Sequence, residues 1–200
     1  DFQTDLGWTV ENGTGLIDGG WTRGAPAGYG DRGDPVADAD GSGSCWLTDN
    51  VPGNSDVDGG PTTLLSPSMA VGGADHELVY ARWFYDGDFE NQMDDFLLVE
   101  ISGDGGTTWS VLENYQPPAA PGGGWEFVSF PVSSLPLPQI PTELRMRVST
   151  SDVGLPSVIE AGLDGVRIRT VTCDNEPVPG DVNGDGAVSY THLTLPTSYA

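Results

Sequence analysis

Lysine is missing altogether from this sequence: the 7 basic residues are all arginine and face 30 aspartates and glutamates, for a formal net charge of −23. A surface that negative repels phosphodiester backbones and anionic headgroups, which excludes nucleic acids and lipid surfaces as partners. Cysteine is scarce. Cys45 and Cys173 lie far apart and outside any C-x-x-C pair, so neither a zinc centre nor a thioredoxin-like motif is expected. One long-range disulfide and two free thiols both stay open. Long apolar runs are absent: no stretch approaches the roughly 20 residues of a membrane-spanning helix, and no membrane insertion is expected. Histidine is nearly absent too. Of His76 and His192, the first has no nucleophile motif nearby, so a Ser-His-Asp triad or a histidine-zinc site lacks its parts, and His76 reads as a surface residue.

What the chain does have is glycine (29 residues) and proline (16), spread throughout its 200 residues. Between them lie short runs of β-branched and aromatic residues that alternate with period two, at 7–11, 45–49, 62–66, 77–85, 96–102, 108–114, 125–132, 143–150 and 165–171. No window carries a 3.6-residue apolar period. The expectation is an all-β fold, an antiparallel β-sandwich of jelly-roll type. Alternation also assigns faces. Leu144, Met146 and Val148 point one way and Arg145 and Arg147 the other; Val166 and Ile168 alternate with Arg167 and Arg169 likewise. In 79–85 both faces are largely apolar, which predicts a central strand covered on both sides.

The stretch from Ser102 to Trp109, SGDGGTTW, matches the Asp-box pattern S-x-D-x-G-x-T-W. Its glycines permit positive φ at a hairpin turn, Asp104 can accept amide hydrogen bonds within the turn, and Trp109 can pack beneath it. Such boxes recur once per blade in sialidase propellers. With a single copy here, a structural hairpin is the expectation.

The texture changes after Val171. Residues 173–180 form a short proline-containing linker, which bounds a sandwich domain at 1–172. Then 181–188 reads DVNGDGAV, the first half of an EF-hand-type loop. Calcium prefers hard oxygen ligands; Asp181, Asn183 and Asp185 would supply side chains at loop positions 1, 3 and 5, and Ala187 its carbonyl at position 7. Position 12 is His192. It falls within VSYTHLTLPTS (188–198), which resembles the translation of a sequencing adapter, so 188–200 is expected to be a non-native tail. The chain opens at Asp1 with neither Met nor an apolar leader and is expected to be a fragment.

The segment 180–188, GDVNGDGAV, resembles the start of a type I dockerin repeat. That resemblance implies an exported bacterial protein, secreted or at the cell surface and carried by or attached to a hydrolase, with calcium as cofactor and a cohesin-like protein as a possible partner. The remainder, through 41–60 (GSGSCWLTDNVPGNSDVDGG), 95–109, 124–130 and 157–168 (SVIEAGLDGVRI), is similar to jelly-roll accessory modules of secreted bacterial proteins, distantly like MAM and carbohydrate-binding sandwiches. It implies a monomeric, non-catalytic module that binds polysaccharide; a structural spacer or adhesion domain is the alternative, and a glycoside hydrolase a further one.

Candidate sites follow from residue type. Glu100 and Glu160 lie within otherwise apolar strands and are the carboxylates a glycosidase would need, although acids on a wet strand face explain them equally. Trp21, Tyr29, Trp46, Trp83, Tyr85 and Trp125 are candidate sugar platforms or core residues. For the sandwich's own calcium, the 48–59 segment collects Asp49, Asp56 and Asp58. The latter two, two residues apart, point the same way on extended backbone, and Asp164 adds a ligand if its strand lies beside that loop.

Overall fold

The structure, a computed structural model, describes residues 2–53, 56–87, 95–117, 122–154 and 157–171. The linker, the half loop with Asp181, Asn183, Asp185 and Ala187, and the tail lie outside the described residues, as does Cys173.

Alternation of apolar and polar side chains on extended backbone forces two sheets to meet face to face. Thirteen strands do so: β1 (Thr9–Asn12), β2 (Leu16–Asp18), β3 (Trp21–Gly24), β4 (Cys45–Thr48), β5 (Asp58–Gly59), β6 (Thr62–Leu65), β7 (Met69–Ala70), β8 (His76–Asp86), β9 (Leu97–Ser102), β10 (Ser110–Tyr115), β11 (Glu126–Pro131), β12 (Glu143–Thr150) and β13 (Ile159–Thr170). The first sheet runs β1-β6-β12-β9-β10, with β7 added beside β12; the second runs β11-β8-β13-β4-β3; β2 and β5 make a small ribbon. Every pairing is antiparallel. The compact unit spans residues 1–170. No helix among the described residues is long and apolar enough to cross a membrane.

The inward set is the one the alternation assigns. Leu144, Met146 and Val148 of β12 are fully buried and share a core with Leu64, Val99 and Ile101 from the same sheet and Tyr80, Phe84, Ile159, Ala161 and Leu163 from the other. Each of the Val, Leu, Ile, Phe and Met side chains among them contributes about 1.5–3 kcal/mol by leaving water. Phe2 adds edge-to-face contacts to Trp8 and Trp46, with ring centroids 5.4 and 6.5 Å away. Trp21 and Trp46 are therefore core residues.

One buried cation sits between the edge strands of the two sheets. Arg82 of β8 donates from Nη1 to Glu126 on β11 (2.8 Å), lies 3.3 Å from Glu113 on β10, and stacks 3.6 Å from the centre of the Tyr115 ring. Tyr80 and Tyr115 donate their hydroxyls to the same two glutamates. Charge here joins β10 of one sheet to β11 of the other where apolar packing gives out.

The last strand begins six residues earlier than alternation suggests. Residues 159–165 are buried on both faces, and Glu160, Gly162 and Asp164 interrupt the apolar pattern there. A register shift against β8 follows Asp164, and Gly165 adopts a positive φ of 59° at that point. Short strands β2, β3, β5 and β7, with two to four residues each, carry too little pattern to be read from sequence.

Candidate functional site

Both outer faces of the sandwich carry polar chemistry, and they are built differently. On the first sheet, Thr63, Leu98, Glu100, Arg147 and Ser149 project outward from β6, β9 and β12 and line, with Phe96, an open groove of about 400 Å3. Arg147 and Glu100 face each other across the β12–β9 pair, and Arg147 Nε donates to Glu100 Oε2 at 2.5 Å. The guanidinium also lies 4.5 Å from the centre of the Trp109 ring. Thr63 and Ser149 share a hydroxyl hydrogen bond of 3.0 Å across β6 and β12.

Trp109 is held there by the Asp-box. Asp104 accepts hydrogen bonds from the Thr107 and Thr108 amides, the Thr108 hydroxyl and the Ser102 hydroxyl. These bonds, the Thr108 amide first, hold its carboxyl down to about 2. Trp109 Nε1 donates to the Gly106 carbonyl at 3.0 Å, which turns its ring toward Arg147. The box thus shapes the β9–β10 hairpin and sets Trp109 against Arg147, a residue of the groove lining.

The second sheet's outer face is roofed by the segment 25–44. Trp83 donates from its indole to Gly33 O (2.8 Å) and Trp125 to Ala37 O (2.7 Å). Asn50 pins the segment's start through Ala25 O and Ala27 N. Gly33 is required here: a Cβ would sit 2.2 Å from the Tyr85 ring, and its φ is 85°. Gly162 likewise leaves room for Trp125, whose ring edge would lie 2.8 Å from an added Cβ. Strand β8 is accordingly covered on both sides. Trp83, Tyr85 and Trp125 are partly buried beneath the roof, while Tyr29 is 73 % exposed on it.

The acidic residues separate into two groups. Asp164 accepts hydrogen bonds from the Ala39 and Asp40 amides, and one carboxylate oxygen each of Asp38, Asp40 and Asp164 come within 4.8 Å of one another. Burial pushes the Asp164 carboxyl up, and only its amide bonds oppose this. Asp49, Asp56 and Asp58 gather instead with Asp18, which faces Asp58 in the β2–β5 ribbon. Burial raises Asp49, as does the neighbouring Asp18. It also raises Asp56, whose ion pair with Arg32 (2.8 Å) pulls the other way.

The β13 strand does meet the 48–59 loop, through the Val57 amide and the Ile159 carbonyl, but register carries Asp164 away from it. Leu163 pairs with Trp46 and Gly162 with Leu47, so Asp164 lies at the Cys45 end of β4 and Asp49 beyond its other end. Four residues at about 3.3 Å each separate the two positions. Asp38 and Asp40 went unread, although D-A-D-G at 38–41 repeats the D-x-D-G spacing of a calcium loop.

Glu100 and Glu160 stand in different sheets, and Glu160 is buried with the Thr48 hydroxyl as a hydrogen-bond donor. His76 is partly exposed and bonds Asp75 and Thr170. Cys45 is a free, buried thiol whose burial raises its pKa. Arg147 and Phe96 of the groove lining, and Trp109 beside Arg147, share no local motif; the wet-face position of Arg147 and the Asp-box tryptophan are the signals the sequence offers.

No protein-family model and no curated protein matches the chain. Among solved structures, it is similar to the K1 cleaved adhesin domain of Lys-gingipain from Porphyromonas gingivalis W83, at 19 % identity and a TM-score of 0.50, covering 84 % of this chain and 94 % of that one. It is also similar to a family 11 carbohydrate-binding module from Clostridium thermocellum, solved with a β-1,3-1,4-mixed-linked tetrasaccharide, at 12 % identity and a TM-score of 0.44, covering 85 % and 92 %. At these identities the likeness is one of fold.

Proposed function

We propose that the sandwich is a non-catalytic module of an extracellular bacterial protein and binds polysaccharide in the groove on its first sheet. The observation that carries this reading is the pairing of Arg147 with Glu100 inside a groove that also presents hydroxyls and an exposed Phe96. Sugars offer hydroxyls and apolar ring faces. The groove meets the first with paired donors and acceptors from Arg147, Glu100, Thr63 and Ser149, and the second with Phe96 and Leu98. Because the guanidinium and carboxylate compensate each other, a neutral ligand does not have to displace a counterion. A glycosidase needs two carboxylates, and the groove lining supplies one, Glu100.

A glycan array probed with the whole chain and with Arg147→Ala tests the reading. Wild type is expected to bind neutral polysaccharides, and Arg147→Ala to bind them at least about tenfold more weakly, a loss of about 1.4 kcal/mol. No glycan bound, or equal binding by the variant, overturns it.

Calcium belongs to the same proposal as a structural cation. The donor set Asp38, Asp40 and Asp164 is all hard oxygen and partly buried, which suits a cation that takes 6–8 oxygen ligands. Neutralising three close carboxylates would remove their repulsion and hold the last part of the roof segment to β13. The dockerin-type half loop at 181–188 and a cohesin-like partner stand as expectations drawn from sequence, to be tested on the longer natural protein.

A further inference from the structure

We infer that the pocket beneath the 25–44 segment binds an organic cation, a ligand carrying an ammonium or quaternary ammonium group. The pocket is on the opposite face of the molecule from the polysaccharide groove, and the inference does not rest on that reading. Its volume is about 340 Å3, within the range of about 300–1,000 Å3 for small-molecule sites. Trp83 and Tyr85 supply ring surface, and Trp125, packed edge-to-face with Trp83 at 5.7 Å, holds the Trp83 ring in place. The walls are bare backbone. An added Cβ at Gly123 would lie 3.3 Å from the Tyr85 ring and 3.5 Å from the Trp83 ring, so the absence of side chains there keeps both rings close to the opening.

Two polar observations choose the ligand. First, Asp34 is the one charged residue in the lining, and it makes no ion pair among the described residues. Its oxygens accept the Gly30 amide at 3.0 Å and the Arg32 amide at 3.3 Å, which fixes the carboxylate and leaves lone pairs over for a further donor. Second, the nearest cation in sequence is turned away: the Arg32 guanidinium is engaged by Asp56 at 2.8 Å. Electron-rich ring faces beside an uncompensated carboxylate, on a chain of net charge −23, are complementary to a positive ligand with an apolar surface. A neutral sugar would use the rings and leave the carboxylate's charge unanswered. An anion would meet both with repulsion.

The test is titration of the whole chain with choline, glucosamine and glucose, followed by the NMR signals of the Trp83 and Trp125 indole N–H groups. Choline is expected to shift them saturably, glucosamine too if the natural ligand is an amino sugar, and glucose not at all. Asp34→Asn is expected to weaken choline binding at least about tenfold. Because Asp34 also organises its own turn, a second pair of variants is placed at Val36, a lining residue that is 66 % exposed. Val36→Lys should abolish choline binding by placing a competing cation at the mouth, and Val36→Glu should tighten it, with thermal stability unchanged in both. Glucose shifting the indoles as strongly as choline would make the pocket a neutral sugar platform and overturn the inference. So would the absence of a saturable response to choline, or a response that is the same in Val36→Lys and Val36→Glu.

Discussion

The two outer faces of this sandwich start from the same period-two pattern and end with opposite chemistry. On the first sheet the outward positions at the groove hold hydroxyls, Leu98 and a compensated ion pair, and the groove is open. On the second the outward positions beneath a glycine-rich segment include Trp83, Tyr85, Gly162 and the buried Asp164, and the segment is fastened mainly by bonds from side chains to its backbone. An open face keeps its charges paired because water and neutral ligands reach it. A covered face can hold an unpaired charge in place because the roof's own amides bind it. What a sheet face can recognise is thus decided less by the strand that forms it than by what lies over it.

The largest way to break this comparison is to undo what both faces share. Arg82→Ala removes the buried guanidinium between β10 and β11 and leaves the half-buried Glu113 without its cation, so a loss of about 3–5 kcal/mol is expected in chemical denaturation. Binding at both faces should fall together. If stability is unchanged, the two sheets are not joined through that cation.

Next comes the roof. Gly33→Ala puts a methyl group into the Tyr85 ring at a positive φ and should cost about 1–3 kcal/mol. Thr63→Ala on the open face should stay within about 0.5 kcal/mol. Equal costs would mean that the 25–44 segment does not pack as described.

Cation and pH come third. Asp49, Asp56 and Asp164 all have carboxyls raised by burial. A raised carboxyl binds its proton more readily in the folded than in the unfolded chain, so stability falls as pH rises from the unfolded aspartate range to that raised value and levels off above it. In EDTA the melting temperature is therefore expected to climb as pH drops from neutral toward about 4, the unfolded aspartate range. Millimolar calcium should raise it at pH 7 and flatten that slope, and Asp38→Asn/Asp40→Asn should lose the calcium effect. If instead an Asp56→Asn/Asp58→Asn pair loses it, the cation belongs with the 48–59 loop.

The smallest effect is confined to the Asp-box. Asp104, held down to about 2 by its hydrogen bonds, stabilises the hairpin above about pH 4 and loses that contribution as pH falls toward 2. Trp109 fluorescence should change over that window, and Asp104→Asn should remove the change.

Much of this was legible in the sequence. Alternation in 143–150 placed Leu144, Met146 and Val148 inside and Arg145 and Arg147 outside, because each step along a strand reverses the side chain. The all-β sandwich followed from many such runs. The β13 start was not legible, since a strand buried on both faces and carrying Glu160, Gly162 and Asp164 shows no alternation. Nor was the partner of Asp164, which depends on the register between β4 and β13. A long-range register has no local signature, so sequence alone does not say which end of the neighbouring strand this aspartate meets. The groove was missed for a related reason: Arg147, Glu100 and Trp109 are brought together by pairing, not by spacing.

The two-face account is tested most directly by one titration of the 15N-labelled chain with a neutral oligosaccharide taken from the glycan array, reading all indole and arginine side-chain signals at once. The account predicts saturable shifts at Arg147 and Trp109 and none at Trp83 and Trp125. Shifts at Trp83 and Trp125 with Arg147 and Trp109 unmoved would contradict it.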